Sequence, residues 1–213
     1  MSILFEPAQE DRTAPVRVVM LPPAFAQAED FRRAGFAEAV HTRRLAVDLV
    51  FADIEASHLT DRSALAQVWQ LVAAARAESV DVWLGGISLG GYVALNVARS
   101  HPEALTGLCL LAPYLGSHIV TREVSQGALA DWSPAPLGEE DDERQIWRFI
   151  QTRPALWPIH LGLGREDRFA ERHRVLAQAL PSADVDTVPG GHDWPTWHRL
   201  WENFLDVRFN VHG

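Results

Sequence analysis

Short apolar runs rich in β-branched residues alternate with longer segments of helical periodicity along nearly the whole chain. That alternation predicts an α/β fold, a mostly parallel central sheet with helices on both faces. The β-type runs are Val16–Leu21, Leu45–Phe51, Val80–Leu84, Leu105–Ala112, Ile159–Leu163 and Val185–Val188. The helical stretches are Glu29–Val40, a long segment capped by Asp61 that reaches about Glu78, Leu89–Ser100, Ala170–Leu180 and Trp194–Val207. At 213 residues the chain fits a single domain, 1–213, around one core.

Regularity breaks between Leu115 and Pro154, where Ser133-Pro134-Ala135-Pro136 and the acidic run Glu139–Glu143 predict an insertion. Two readings of it are open. It is either a lid whose Trp132, Trp147 and Phe149 wall a pocket, or a surface excursion whose aromatics cover the core. Trp194, Trp197 and Trp201 recur at i, i+3 and i+7, the spacing of one helix face packed on the sheet.

Composition narrows the function by exclusion. The net charge is −9 with the acids spread along the chain, and no clustered basic face suits a phosphate backbone, so nucleic acid is not an expected partner. All 19 basic residues are arginine, which excludes mechanisms needing a Schiff-base lysine, a P-loop lysine or a serine–lysine dyad. Cys109 is the only cysteine and has no disulfide partner. The N-terminus meets Glu6 before a signal-peptide core can develop, and no run approaches the roughly 20 apolar residues that span a bilayer. The expectation is a cytoplasmic protein without a membrane partner. No metal-ligand spacing or dinucleotide fingerprint is present, so neither metal nor cofactor is expected.

Chemistry concentrates at Gly86-Ile87-Ser88-Leu89-Gly90, which stands where a strand must turn sharply into a helix. The bland reading is a glycine-rich turn with a capping serine. The functional reading is a strained turn that presents the Ser88 hydroxyl at the carboxyl edge of the sheet, where open α/β folds bind ligands. A serine hydroxyl is a poor nucleophile near neutral pH and needs a base within reach. Among nine histidines, only His192 lies in a glycine-flanked loop, Gly190-Gly191-His192, between the last strand and the last helix. His160 falls in a strand, His173 and His198 in helices. The histidine in turn needs a carboxylate to fix its tautomer. Asp167, after strand 159–163, is the candidate, with Glu166 and Asp193 as competitors. Asp193 fits better as the N-cap of the last helix, and a helix cap is also the bland reading of Asp167.

These residues carry a resemblance. With Gly86-Ile87-Ser88-Leu89-Gly90-Gly91, Ala112-Pro113-Tyr114 and Gly190-Gly191-His192-Asp193-Trp194, the chain from Val16 to Leu205 resembles the α/β-hydrolase superfamily, and within it small bacterial serine hydrolases and esterases. The resemblance implies a triad of Ser88, His192 and Asp167 in the family's chain order but supplies no substrate; the expected reaction is hydrolysis of a small ester through an acyl-enzyme. The resemblance also implies two N–H donors for the oxyanion, that of Leu89 after the serine and one from the loop after strand 16–21. Many relatives read His-Gly there. This chain reads Pro22-Pro23-Ala24-Phe25, so the donor falls to Ala24, with Phe25 in reserve. Phe25 and Tyr114 are candidates to border the substrate. The same triad would serve a thioesterase, an acyltransferase or cleavage of an amide or carbon–carbon bond, and a hydrolase-fold binding protein without turnover is the reading from another class.

Overall fold

The central sheet has seven strands in the order β1-β3-β2-β4-β5-β6-β7. The computed structural model describes residues 2–54, 63–127, 129–134, 136–138, 140–152, 157–180 and 183–209. The strands are β1 (Ile3–Glu6), β2 (Val16–Leu21), β3 (Val47–Ala52), β4 (Asp81–Ile87), β5 (Gly107–Leu111), β6 (Ile159–Gly164) and β7 (Asp184–Val188). All neighbours pair in parallel except β1, which runs antiparallel to β3 along one edge.

Parallel strands buried on both faces read as continuous apolar runs, and their period of two deals the residues to two cores. Val18, Met20, Trp83, Cys109 and Leu111 face α1 (Ala28–Arg33), α2 (Phe36–Thr42) and α8 (Trp194–Arg208). Val19, Leu21, Val82, Leu84, Leu108 and Leu110 face α3 (Ser63–Ala77), α4 (Leu89–Ser100), α5 (His118–Ser125), α6 (Asp142–Thr152) and α7 (Ala170–Ala179). The first core is aromatic, with Phe31, Phe36, Phe51, Trp201 and Phe204 fully buried. The second is built mainly from valine, leucine and alanine.

The differences from the sequence reading have local causes. The helix expected over Glu29–Val40 is two helices, because the chain turns through Gly35 in the left-handed region, φ +85°. Strand β1 is four residues long, too short for alternation to betray it. Strand β4 continues past Leu84 through Gly85 and Gly86, which carry no hydrophobic signal but hold the ladder to β2 and β5. The proposed cap Asp61 lies outside the described residues.

The stretch 115–154 contains α5, α6 and a short 3-10 turn at Leu129–Asp131. Trp147 is fully buried and donates from its indole N–H to the Leu115 carbonyl at 3.0 Å, while Trp132 donates to Glu123 at the same distance. Both rings belong to the second core. Trp197 and Trp201 are buried on α8, packed against the first core with Trp194 beside them. Among the described residues, no helix is long and apolar enough to cross a membrane.

Candidate active site

Ser88 joins β4 to α4 with φ +50° and ψ −110°, a conformation that L residues hold only when the surroundings over-determine it. The surroundings here are backbone. The Ser88 N–H donates to the Leu111 carbonyl at 3.0 Å, and the Ser88 carbonyl accepts from the N–H groups of Tyr114 at 2.8 Å and Tyr92 at 3.2 Å. A Cβ on Gly86 would overlap the Gly90 backbone, and one on Gly90 would overlap the Leu21 carbonyl and stand 2.8 Å from the Pro22 oxygen. The turn therefore exists only with glycine at both positions. As the first residue of α4, Leu89 has an N–H without an intrahelical acceptor.

The contact with Gly90 also places the loop after β2 directly beside this turn. That loop closes on a bond from the Ala26 N–H to the Pro23 carbonyl at 3.2 Å. It presents Ala24 to solvent and holds Phe25 fully exposed at φ +66°. On the other side runs Ala112-Pro113-Tyr114, the continuation of β5. Ala112 has φ +45° and is fixed by its N–H donating to the Gly162 carbonyl at 2.8 Å. Pro113 touches Gly91, where an added Cβ would sit 2.8 Å from the proline ring. Tyr114 is half-buried, its ring edge-on to Tyr92 and its hydroxyl donating to Glu143 at 2.9 Å. Burial and that carboxylate push its phenol well above the ordinary value.

Two strands further along the same edge, Asp167 follows β6, and His192 follows β7. The two side chains meet, His192 Nδ1 lying 2.7 Å from Asp167 Oδ2. An ionised carboxylate only accepts, so Nδ1 carries the proton and Nε2 presents its lone pair. The Asp167 side chain is wholly buried. Burial alone would raise its pKa, yet the bonds from His192 and from the Phe169 N–H at 2.8 Å outweigh it and hold the carboxyl below its ordinary value. The imidazole is gripped edge-on by Phe169 and Trp197, with ring centroids 5.2 and 5.0 Å away.

The competing carboxylates are engaged elsewhere. Asp193 caps α8, its Oδ1 accepting from the Thr196 N–H at 3.0 Å and hydroxyl at 2.7 Å. Glu166 accepts from the Gly190 N–H, while the Glu166 and Arg165 N–H groups donate to the Gly190 and Val188 carbonyls at 3.1 and 2.9 Å. The acid loop and the histidine loop are thereby zipped together. Gly190, at φ +128°, has no room for a Cβ against Thr196.

Sequence reasoning passed over His173. It is completely buried on α7, with Nε2 3.2 Å from the Pro113 carbonyl, so Nε2–H is the donor, and Nδ1 has no partner among the described residues. Burial pushes its pKa down and keeps the ring neutral. It joins the helix after Asp167 to the strap that holds the Ser88 carbonyl. No local pattern marks it, since a histidine inside an amphipathic helix is ordinary. Among the described residues no cluster of His, Cys, Asp and Glu suits a metal ion.

A sheet with this strand order, a serine at the sharp turn after its central strand and an Asp–His pair farther along the same edge define an α/β-hydrolase. The chain belongs to the family described as "putative esterase", whose model matches residues 54–203. It is similar to the acetyl esterase of Caldicellulosiruptor saccharolyticus, 23% identical over 140 residues that cover 58% of this chain and 53% of that protein. In three dimensions it is similar to Est1E from Butyrivibrio proteoclasticus, with a TM-score of 0.68 at 14% identity over 95% of this chain and 92% of that one. It is likewise similar to the fluorophosphonate-binding serine hydrolase F of Staphylococcus aureus, with a TM-score of 0.67 at 12% identity over 93% and 86%. The chain spans about half the length of the curated relatives it matches.

Proposed function

We propose that the protein hydrolyses small carboxylic esters through an acyl-enzyme, with Ser88 as nucleophile, His192 as general base and Asp167 as the group that orients it. The observation that carries this reading is the buried Asp167–His192 pair at 2.7 Å, set on the same sheet edge as a serine held at φ +50°. Membership of the esterase family and similarity to proteins named acetyl esterase and fluorophosphonate-binding serine hydrolase support it.

His192 Nε2 takes the proton from Ser88 Oγ as that oxygen bonds to the ester carbonyl carbon. The oxyanion that forms accepts from the N–H groups of Leu89 and Ala24, each worth about 3 kcal/mol to the transition state. The imidazolium, stabilised by Asp167, returns its proton to the departing alkoxide and the C–O bond breaks. Water then gives a proton to His192 and adds to the acyl carbon, releasing the carboxylic acid and restoring the serine hydroxyl. Phe25 and Tyr114 border the substrate, and the stretch 115–154 supplies one wall of its cleft.

The test is hydrolysis of short p-nitrophenyl esters by the native protein and by Ser88→Ala at equal folded concentration, with a matched thioester alongside. Turnover confined to the native protein supports the assignment, whereas equal rates in both would remove Ser88 from the chemistry. Without turnover of any ester, covalent labelling of Ser88 by a fluorophosphonate decides between a narrow substrate range and a binding protein.

A further inference from the structure

Beside the proposed active site, α5 and α7 face each other across a cleft of about 380 Å3 instead of packing together. One wall is His118, Thr121, Arg122 and Ser125, a single face of α5, and the other is Glu171, Arg172 and Val175. Arg122 and Arg172 stand on opposite walls, and among the described residues no ion pair joins either to a carboxylate. On the neighbouring helices Arg144 pairs with Glu123 at 2.7 Å and with Asp141 at 3.1 Å, and Arg99 with Asp142 at 3.1 Å. Arg122 and Arg172 against one Glu171 leave the lining with a net positive charge, which an anion in the cleft would balance.

The cleft connects with the catalytic edge. The Arg172 guanidinium carbon lies 5.4 Å from the centre of the Phe169 ring, and the same ring packs edge-on against His192 at 5.2 Å. Arg168 covers Phe169 as well, at 4.8 Å. Arg172 also acts electrostatically on Tyr114, whose N–H holds the Ser88 carbonyl. Arg172 is thus two ring contacts from His192, and its charge reaches Tyr114, whose backbone N–H bonds to the Ser88 carbonyl. Among the described residues Glu171 is the one carboxylate lining the cleft, against Arg122, Arg172 and the His118 imidazole.

Resting on the hydrolase reading above, we propose that this cleft is an anion subsite, and that the protein's substrates are esters carrying a carboxylate or phosphate group that Arg122 and Arg172 bind while the ester carbonyl sits at Ser88. A planar guanidinium pairs with either anion through two parallel N–H bonds, so both chemistries fit the same pair of arginines.

The experiment compares esters matched for size. On the acyl side it sets p-nitrophenyl hydrogen glutarate against p-nitrophenyl pentanoate, and on the alcohol side para-carboxyphenyl or para-phosphophenyl butanoate against phenyl butanoate. The expected result is a kcat/KM advantage of about tenfold or more for the charged member in one of the two arms, the scale of one charge-assisted hydrogen bond. The advantage shrinks toward unity near 1 M salt and collapses in Arg122→Ala and Arg172→Ala, whereas Arg33→Ala, distant on α1, keeps it. Equal or slower turnover of the charged member in both arms overturns the subsite, as does an advantage that survives both arginine variants.

A calorimetric titration of the Ser88→Ala protein with the uncleaved charged esters separates this outcome from failure of the hydrolase reading. Binding that Arg172→Ala removes, in a native protein that cleaves no ester, would leave the subsite standing and the catalytic role refuted. Cleavage of neutral esters without such binding would do the reverse.

Discussion

The two halves of the proposed active site are held by different means. The serine half is made of backbone, with Ser88 and Ala112 in the left-handed region, glycines closing on carbonyl oxygens, and hydrogen bonds among Leu111, Ser88 and Tyr114. The acid–base half is made of side chains, with Asp167 on His192, Glu166 on Gly190, Asp193 on Thr196 and His173 on Pro113. A backbone device tolerates no added atom but is indifferent to protonation. A side-chain device tolerates repacking but depends on charge state. The two should therefore fail differently.

The sharpest break is Asp167→Asn, which keeps the shape and removes the charge. The amide can donate to His192 Nδ1, which flips the imidazole tautomer and turns Nε2 into a donor. The expected loss in kcat is about 10⁴-fold, by analogy with the same change in serine proteases, with KM little altered. Steady-state kinetics on the best p-nitrophenyl ester read this directly, and a loss below tenfold would mean that Asp167 does not orient the base.

Gly90→Ala tests the other half. The new methyl would overlap the Leu21 carbonyl and press on that of Pro22, and both belong to backbone that cannot swing aside. Overpacking a rigid backbone contact of this kind is expected to cost about 3 kcal/mol or more, visible as a lowered urea midpoint. No change of pH should restore it. A stable Gly90→Ala protein would show that the loop after β2 yields, and with it the placement of Ala24.

Protonation should act in the opposite way. His173 is buried and neutral with a lowered pKa, and His160, buried in β6, is pushed down by burial to about 4. In the unfolded chain both titrate near pH 6.5. Below that value the unfolded state binds more protons, so the stability these rings contribute is complete above about pH 6.5 and is lost as pH falls toward the folded values. For His160 the slope approaches about 1.4 kcal/mol per pH unit between those two values, and His173 adds to it in the same direction. Asp167, whose folded pKa is lowered, adds its own loss only at more acid pH, in and below the ordinary carboxylate range. Between pH 6.5 and 5 His160 alone is expected to cost the native protein about 1.6 kcal/mol, His173 adds to that loss, and His173→Gln, whose amide N–H keeps the bond to the Pro113 carbonyl, is expected to fall less steeply. Urea denaturation across this range supplies the comparison, and identical slopes for both proteins would exclude His173 from the pH response.

The same division explains what the sequence disclosed. The serine half was legible because its geometry is written in residue types, glycine at 86 and 90 around a serine between a β-run and a helix. The parallel sheet was legible for a similar reason, since strands covered on both faces must be apolar throughout. His192 stood out because glycine-flanked histidines in loops are few. The supports of the acid–base half were not legible. Glu166 could be named only as a rival to Asp167, and His173 as one more helical residue, because what defines them is a partner 24 or 60 positions away in sequence. The cleft between α5 and α7 escaped for the same reason, its two arginines lying on elements whose relative placement no periodicity encodes.

The smallest expected effect is the most telling about the zipped loops. Glu166 is exposed, and its carboxylate accepts from the Gly190 N–H. Glu166→Ala leaves that N–H to water, so the stability cost is expected to be only about 0.5 to 1 kcal/mol. His192 keeps its bond to Asp167 and its contacts with Phe169 and Trp197, and the backbone bonds from Arg165 to Val188 and from Glu166 to Gly190 survive the substitution. Three independent restraints thus remain on the imidazole, and kcat is expected to fall by no more than a few fold. A loss approaching that of Asp167→Asn would show that the loop carrying His192 is positioned by this single exposed carboxylate. Rates of Glu166→Gln would then tell charge from hydrogen bonding, since the amide oxygen still accepts from Gly190 while the negative charge is gone.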